Sequence, residues 1–174
     1  INNAAIDAVP FANKSKTKFP TISEWDKEIN VSLKGSYLMI KYFGEMMIKK
    51  KKGSIINIGS DLSIIAPNQK LYKSSYKNYI KPVTYSVIKH GMLGLTRYFA
   101  SLYAKDKVRV NMISPGPIKN KQSKKLLNEL KKVIPMERLS DPDEILDSIY
   151  FLANPTSSYI TGQNILIDGG RTII

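Results

Sequence analysis

Apolar residues along the chain follow two alternating patterns, a helical stripe and short continuous runs. Thr21-x-x-Glu24 resembles a capping box, in which each side chain takes up a backbone N–H left free at a helix start. From there Trp25, Ile29, Leu33, Tyr37, Ile40 and Phe43 are spaced as one face of a helix that runs out near Lys49–Gly53. Residues Gly53–Ser60 are short, β-branched and apolar between glycines, the pattern of a buried strand. Asp61–Pro82 is polar and rich in Tyr and Lys, and Tyr85–Ala104 carries Val87, Ile88, Leu95, Phe99 and Leu102 without a proline, a long helix. Val108–Ile113 reads as the next strand, ended by Ser114-Pro115-Gly116-Pro117, and the basic segment Lys119–Lys132 reads as a loop with a helix inside it. Asp141-Pro142-x-Glu144 starts another helix, capped by Ser140 or Asp141 with Pro142 at or near its first position. Asn164–Ile167 is a last strand before Asp168-Gly169-Gly170. Strands alternating with helices predict an α/β fold with a largely parallel sheet, one domain over residues 1–174 with no internal repeat.

Composition narrows the function classes. An apolar share of 43% fits a globular chain, and no apolar run reaches the ~18–20 residues of a membrane-spanning helix. Ile1-Asn2-Asn3-Ala4-Ala5 shows no basic segment leading into an apolar one, so no signal peptide is expected. With no cysteine and one histidine, neither disulfides nor a metal site is expected, and a cytoplasmic protein is the plain reading. The net charge of +13 would suit an anionic partner such as nucleic acid. The basic residues are spread over several segments, however, so a lysine-rich solvated surface is the reading adopted, with no nucleic-acid partner and no membrane. Lys49–Lys52, the densest run, ends a helical pattern, where cations favour the helix dipole.

Asn2-Asn3-Ala4-Ala5, Asn30, Ser60, Tyr85-x-x-x-Lys89, Pro115-Gly116-Pro117-Ile118 and Asp168-Gly169-Gly170 stand in an order that resembles the C-terminal two-thirds of a short-chain dehydrogenase/reductase. Asn2-Asn3-Ala4-Ala5 is similar to that family's Asn-Asn-Ala-Gly signature, with Ala5 in place of the usual glycine. Asn30 falls in a helix just before Val31-Ser32-Leu33-Lys34-Gly35, where the family keeps an asparagine. Ser60 ends the following strand as the family serine does, and Tyr85-Ser86-Val87-Ile88-Lys89 supplies Tyr-x-x-x-Lys. Pro115-Gly116-Pro117-Ile118, Tyr159-Ile160-Thr161-Gly162 and Asp168-Gly169-Gly170 match later family segments. A lone Tyr-x-x-x-Lys is common by chance; the ordered set is not.

The resemblance implies a Rossmann-like doubly wound parallel sheet, here lacking its first three strands, and an NAD- or NADP-dependent oxidoreductase acting on a small-molecule substrate. It implies Asn30, Ser60, Tyr85 and Lys89 as the catalytic set. Tyr85 and Lys89 share one helix face a turn apart. A phenol near pKa ~10 is a poor acid–base group at neutral pH, and a nearby ammonium stabilises its phenolate. By the resemblance Tyr85 exchanges a proton with the substrate oxygen and Lys89 also holds the nicotinamide ribose. Ser60 bonds that oxygen, and Asn30 holds a water linking Lys89 to solvent. Asn3, Ala4, Pro115, Gly116, Ile118 and Asn120 would touch the cofactor with Tyr85 and Lys89, Asn120 standing where threonine is common. Asn111 is read as a tie between strands and His90 as structural. A homodimer or homotetramer through the two long helices is implied as well.

Two departures bear on function. Ser60 and Tyr85 are about twice as far apart as the family's serine and tyrosine; counting the usual spacing back lands near Tyr72, with Ser74 and Ser75 slightly too close. The strand-end anchor favours Ser60 and an insertion at about 62–83, where Tyr72, Tyr76 and Tyr79 interleave with Lys70, Lys73, Lys77 and Lys81. Beside a substrate pocket this would suit a sugar, sugar phosphate or sugar nucleotide, and the long loop resembles that of family members from bacterial surface-carbohydrate pathways; a solvated excursion or subunit contact is the bland alternative. Second, the sequence holds no Gly-x-x-x-Gly-x-Gly turn to receive a pyrophosphate. The expectation is therefore a truncated enzyme or, as the rival, an inactive remnant or assembly subunit.

Overall fold

The computed structural model describes residues 1–6, 19–75, 79–120 and 122–174. Three parallel strands, β1 (Gly53–Ile58), β2 (Val108–Pro115) and β3 (Asn164–Ile167), lie side by side in chain order. The register pairs Gly53 with Val108 and Met112 with Asn164. Asn2 extends this sheet on the free side of β1, its N–H donating to the Ile56 carbonyl at 2.8 Å and its carbonyl accepting from the Ile58 N–H at 3.0 Å. Successive side chains of a strand point to opposite faces, and both faces here are covered. Ile55, Val108 and Val110 pack with Ile40, Phe99 and Tyr103 on one side. Ile56 and Ile113 pack with Ile145 and Leu152 on the other. This two-sided α/β layering is the expected architecture.

The first helical stripe becomes α1 (Ile22–Ile29), a π-helical turn (Asn30–Lys34) and α2 (Gly35–Lys49). The Thr21–Glu24 capping box is present in both directions, and its two hydrogen bonds hold the Glu24 carboxyl below its usual range. The expected apolar face needs correction. Tyr37 and Phe43 are exposed, and the buried stripe is Ser32, Ser36, Ile40 and Gly44. A π turn takes more than 3.6 residues, so it rotates the downstream face away from the one an unbroken helix would bury. Small residues let α2 come close to the next long helix, α4 (Val83–Tyr103): a Cβ on Gly44 would sit 2.5 Å from the ring of Tyr103.

The polar stretch after β1 is more ordered than its composition suggests. It opens with a 3-10 turn (Asp61–Ser63) and then forms α3 (Gln69–Ser75), whose Leu71 is buried against Leu126, Leu130, Ile134 and Leu139. Tyr72 and Tyr79 meet with ring centroids 5.8 Å apart, and Tyr79 is buried. Tyr76 and Lys77 of the interleaved set, and the side chains of Ser74 and Ser75, lie outside the described residues. Next come α4 (Val83–Tyr103), starting two residues before the expected Tyr85, then α5 (Lys124–Lys131) and α6 (Pro142–Ala153). Asp141 is the N-cap of α6, its N–H donating to the Glu144 carboxylate at 2.8 Å, and Pro142 occupies the first turn. Among the described residues no helix is long and apolar enough to cross a membrane.

Candidate active site

Ligands of open α/β sheets bind outside the carboxyl ends of the strands, and Ser60, the Lys89 ammonium and Pro115 lie there. β1 ends at Ile58, short of the expected Ser60, which instead begins the 3-10 turn as its N-cap. Its Oγ accepts the Leu62 N–H at 3.2 Å and donates to Asp61 Oδ1 at 2.9 Å. Asp61 is itself buried and forms an ion pair with the buried Arg171, beyond Asp168-Gly169-Gly170. Sequence reasoning missed this pair because its members lie 110 residues apart and neither belongs to a periodic pattern. Alongside it, a cavity of about 270 Å³ is lined by Ile65, Asn68, Leu71, Val133 and Arg171 among others.

Tyr85 and Lys89 stand on successive turns of α4, the Lys89 Nζ 5.6 Å from the centre of the Tyr85 ring. Lys89 is buried, 8% exposed, and its ammonium donates to the Ile58 carbonyl at 3.0 Å. That bond fixes the lysine at the end of β1, two residues before Ser60. α4 also packs directly on the Asp61–Ser63 turn. Asn30 is placed differently: it opens the π turn that packs on α4, its carbonyl accepts the Gly35 N–H, and its side chain is exposed. A π turn at this asparagine is the kind of local irregularity often found at functional sites. His90 turns away, its Nδ1 2.9 Å from the Ser86 carbonyl on the exposed side of the helix.

The segments expected to meet a cofactor lie along the same edge. Asn3 and Ala4 are exposed just past the Asn2 bridge, and the Asn2 amide joins Asn57 Oδ1 at 2.8 Å, whose own amide reaches Thr96 Oγ1 at 2.9 Å. Pro115 is buried at the end of β2. The Gly116 N–H bonds the Ile167 carbonyl at 2.9 Å, and a Cβ there would come within 2.8 Å of the Asp168 backbone. Ile118 bridges to Ser140, and Gln122 clips this strip by accepting the Asn120 N–H and donating to the Ile118 carbonyl, both at 2.7 Å. Asn111 ties the β2–β3 seam as expected, donating to Ile160 and accepting from Gln163. Ser114 Oγ, at the β2 end, is buried without a hydrogen-bond partner, an orphan polar atom suited to a ligand group. These features fit the nicotinamide end of a dinucleotide; the pyrophosphate cradle has no counterpart in this sequence.

The sequence profile described as "Enoyl-(Acyl carrier protein) reductase" matches residues 1–172. The 3-oxoacyl-[acyl-carrier-protein] reductase FabG of Thermotoga maritima is 34% identical over 99% of this chain and 65% of its own length. An NAD-dependent glycerol dehydrogenase of Listeria innocua is 35% identical, over 86% of this chain and 56% of its own. A short chain dehydrogenase from Leptospira borgpetersenii, solved with bound NAD+, superposes with a TM-score of 0.85 at 31% identity, covering 97% of this chain and 62% of that one. The chain thus spans roughly two thirds or less of the length of these relatives. On this match over nearly all its residues, it belongs to the short-chain dehydrogenase/reductase family.

Proposed function

We propose that the chain carries the catalytic part of an NAD(P)-dependent oxidoreductase that interconverts a secondary alcohol and a ketone on a polar substrate, a sugar or sugar nucleotide. The observation that carries this reading is the Lys89 ammonium, buried, bonded to the last residue of β1 and one turn from Tyr85. The bound nicotinamide supplies or accepts the hydride. Tyr85 gives its phenolic proton to the carbonyl oxygen, or takes it from the alcohol, and Lys89 steadies the phenolate between these states. Ser60 bonds the same oxygen once its hydroxyl turns from Asp61. Asn30, at the exposed π turn, holds the water through which Lys89 exchanges protons with solvent. Asn3, Ala4, Pro115, Gly116, Ile118 and Asn120, with Tyr85 and Lys89, receive the nicotinamide half, and the buried polar Ser114 lies close along that edge. The sugar-like substrate follows from the Tyr- and Lys-rich excursion over about 62–83, whose Lys81 stands over the Tyr85 ring.

The exposed apolar faces of α2 and α4 support assembly as a homodimer or homotetramer. The test uses the full-length protein from its native gene, assayed by nicotinamide absorbance against polyols, keto sugars and sugar nucleotides. Tyr85→Phe is expected to lower turnover by about 10²-fold or more while cofactor binding persists. Undiminished turnover in Tyr85→Phe would sink the reading. A folded oligomer that neither binds a nicotinamide cofactor nor oxidises any of these alcohols would favour the rival role of an inactive assembly subunit.

A further inference from the structure

A second lysine faces Tyr85. The Lys81 Nζ lies 3.8 Å from the centre of the Tyr85 ring, nearer than Lys89, and Lys81 is only 9% exposed. An ammonium over a ring face is attracted by the π electrons, and the attraction grows when the ring carries a phenolate. At this height above the ring the cation also falls within the ~4–6 Å over which an opposite charge favours the ionised form of an acid. Its position is built rather than incidental. The Gln69 side chain at the start of α3 accepts the Lys81 N–H at 3.0 Å and donates to the Lys81 carbonyl at 3.2 Å, a two-point clip on the backbone. Pro82 then caps α4 with its φ fixed at −60°, so the chain enters the helix on one path, with Lys81 just outside it and Tyr85 in its first turn.

We infer that Lys81 is a positioning residue that, together with Lys89, holds Tyr85 toward its phenolate form, and that the excursion between β1 and α4 serves to deliver it. This rests on Tyr85 being the acid–base group. Lys89 acts from one turn along the helix, held at the end of β1; Lys81 acts from just before the helix, closer over the ring. The excursion thereby acquires a second task beside the substrate pocket. Among the described residues, other charged groups around α4 are engaged elsewhere or turned outward. Asp61 pairs with Arg171, and Arg109 bonds Ser157 and the Asn154 carbonyl. Lys41 stands over Tyr42, and Glu45 is exposed. Glu24, Asp26, Lys27, Lys34, His90 and Arg97 are exposed, and Glu28 is half-buried on α1.

The experiment reads the tyrosine directly, without substrate. In full-length protein with its tyrosines labelled with 13C at Cζ, the resonance lost in Tyr85→Phe is followed through a pH titration. Lys81→Met, which keeps the aliphatic stem and removes the charge, is expected to raise the Tyr85 midpoint by about one pH unit or more. Lys81→Arg is expected to restore most of it. A merely structural tether would move neither. An unchanged midpoint in folded Lys81→Met overturns the inference, as does an equal rise in Lys81→Arg. Gln69→Leu leaves Lys81 intact but frees its backbone, and it is expected to give a smaller rise in the same direction. It decides the matter if Lys81→Met does not fold, no rise then overturning the inference. The turnover of Tyr85→Phe is a separate arm: activity retained there sinks the oxidoreductase mechanism, whereas an unmoved titration with activity lost sinks only the role of Lys81.

Discussion

At the level of single residues, the contacts that set the site divide into local and distant ones. Tyr85 and Lys89 are four apart on one helix, so their meeting is legible in the sequence; Asp61 and Arg171 are not, and they form the buried ion pair beside Ser60. Removing one member of a buried pair strands the other charge without water, which typically costs about 3–5 kcal/mol, more than the pair itself contributes. Arg171→Leu alone should therefore destabilise the protein by about that much, measured by denaturant unfolding. Asp61→Leu combined with Arg171→Leu should recover most of the loss. If the double variant is no more stable than the single, the pair is not the source of the cost. Lys81 was legible only as one cation in an interleaved run. Its place over Tyr85 depends on Gln69, twelve residues earlier, and sequence alone gives no sign of that clip.

Elements show a similar division between what neighbours dictate and what packing dictates. The capping box of Thr21 with Glu24 was readable because it is complete within four residues, whereas at α6 the sequence left Ser140 or Asp141 as the cap and the structure has Asp141. The π turn at Asn30 was not, since it breaks the very periodicity from which a helix is inferred; it leaves Tyr37 and Phe43 outside and buries Ser32, Ser36 and Gly44 instead. Leu71, an apolar residue set apart from any periodic pattern, was equally silent until α5 supplied its partners. The α6 cap also makes a prediction about pH. Glu144 is held at about 2, first by the hydrogen bonds from Arg138 at 2.7 and 2.8 Å, then by that from the Asp141 N–H. A carboxylate lowered from 4.5 on folding stabilises the native state in full above that value, and the contribution fades as pH falls through about 2. Compared with Glu144→Gln, the natural protein should hold its advantage above pH 4.5 and lose it progressively from there toward 2. Parallel unfolding midpoints for the two proteins across that window would show the cap to be inert.

For the whole molecule, the order of strands and helices was the most legible feature, because a parallel sheet covered on both faces writes itself as apolar runs separated by amphipathic helices. What the order does not show is which surfaces stay apolar after the layers close. On α2, Tyr42 is 57% exposed and Met46 55%, with Met39 and Phe43 nearby; on α4, Tyr98 is 64% exposed and Leu102 49%. Phe99 and Tyr103 connect the two helices beneath that surface, Phe99 in ring contact with Tyr37, Tyr98 and Tyr103. The apolar face is therefore continuous with a well-packed core. Contiguous apolar surface of this kind marks association sites in soluble proteins, and a two-fold axis lets one patch meet its own copy. The full-length protein is expected to sediment as a dimer or tetramer. Replacing Tyr42 and Met46 together by Glu puts four like charges into a two-fold contact and should yield a smaller species with an unchanged circular dichroism spectrum. A natural protein that sediments as a monomer would leave this face to another partner. A variant that keeps its assembly would place the contact elsewhere on the molecule.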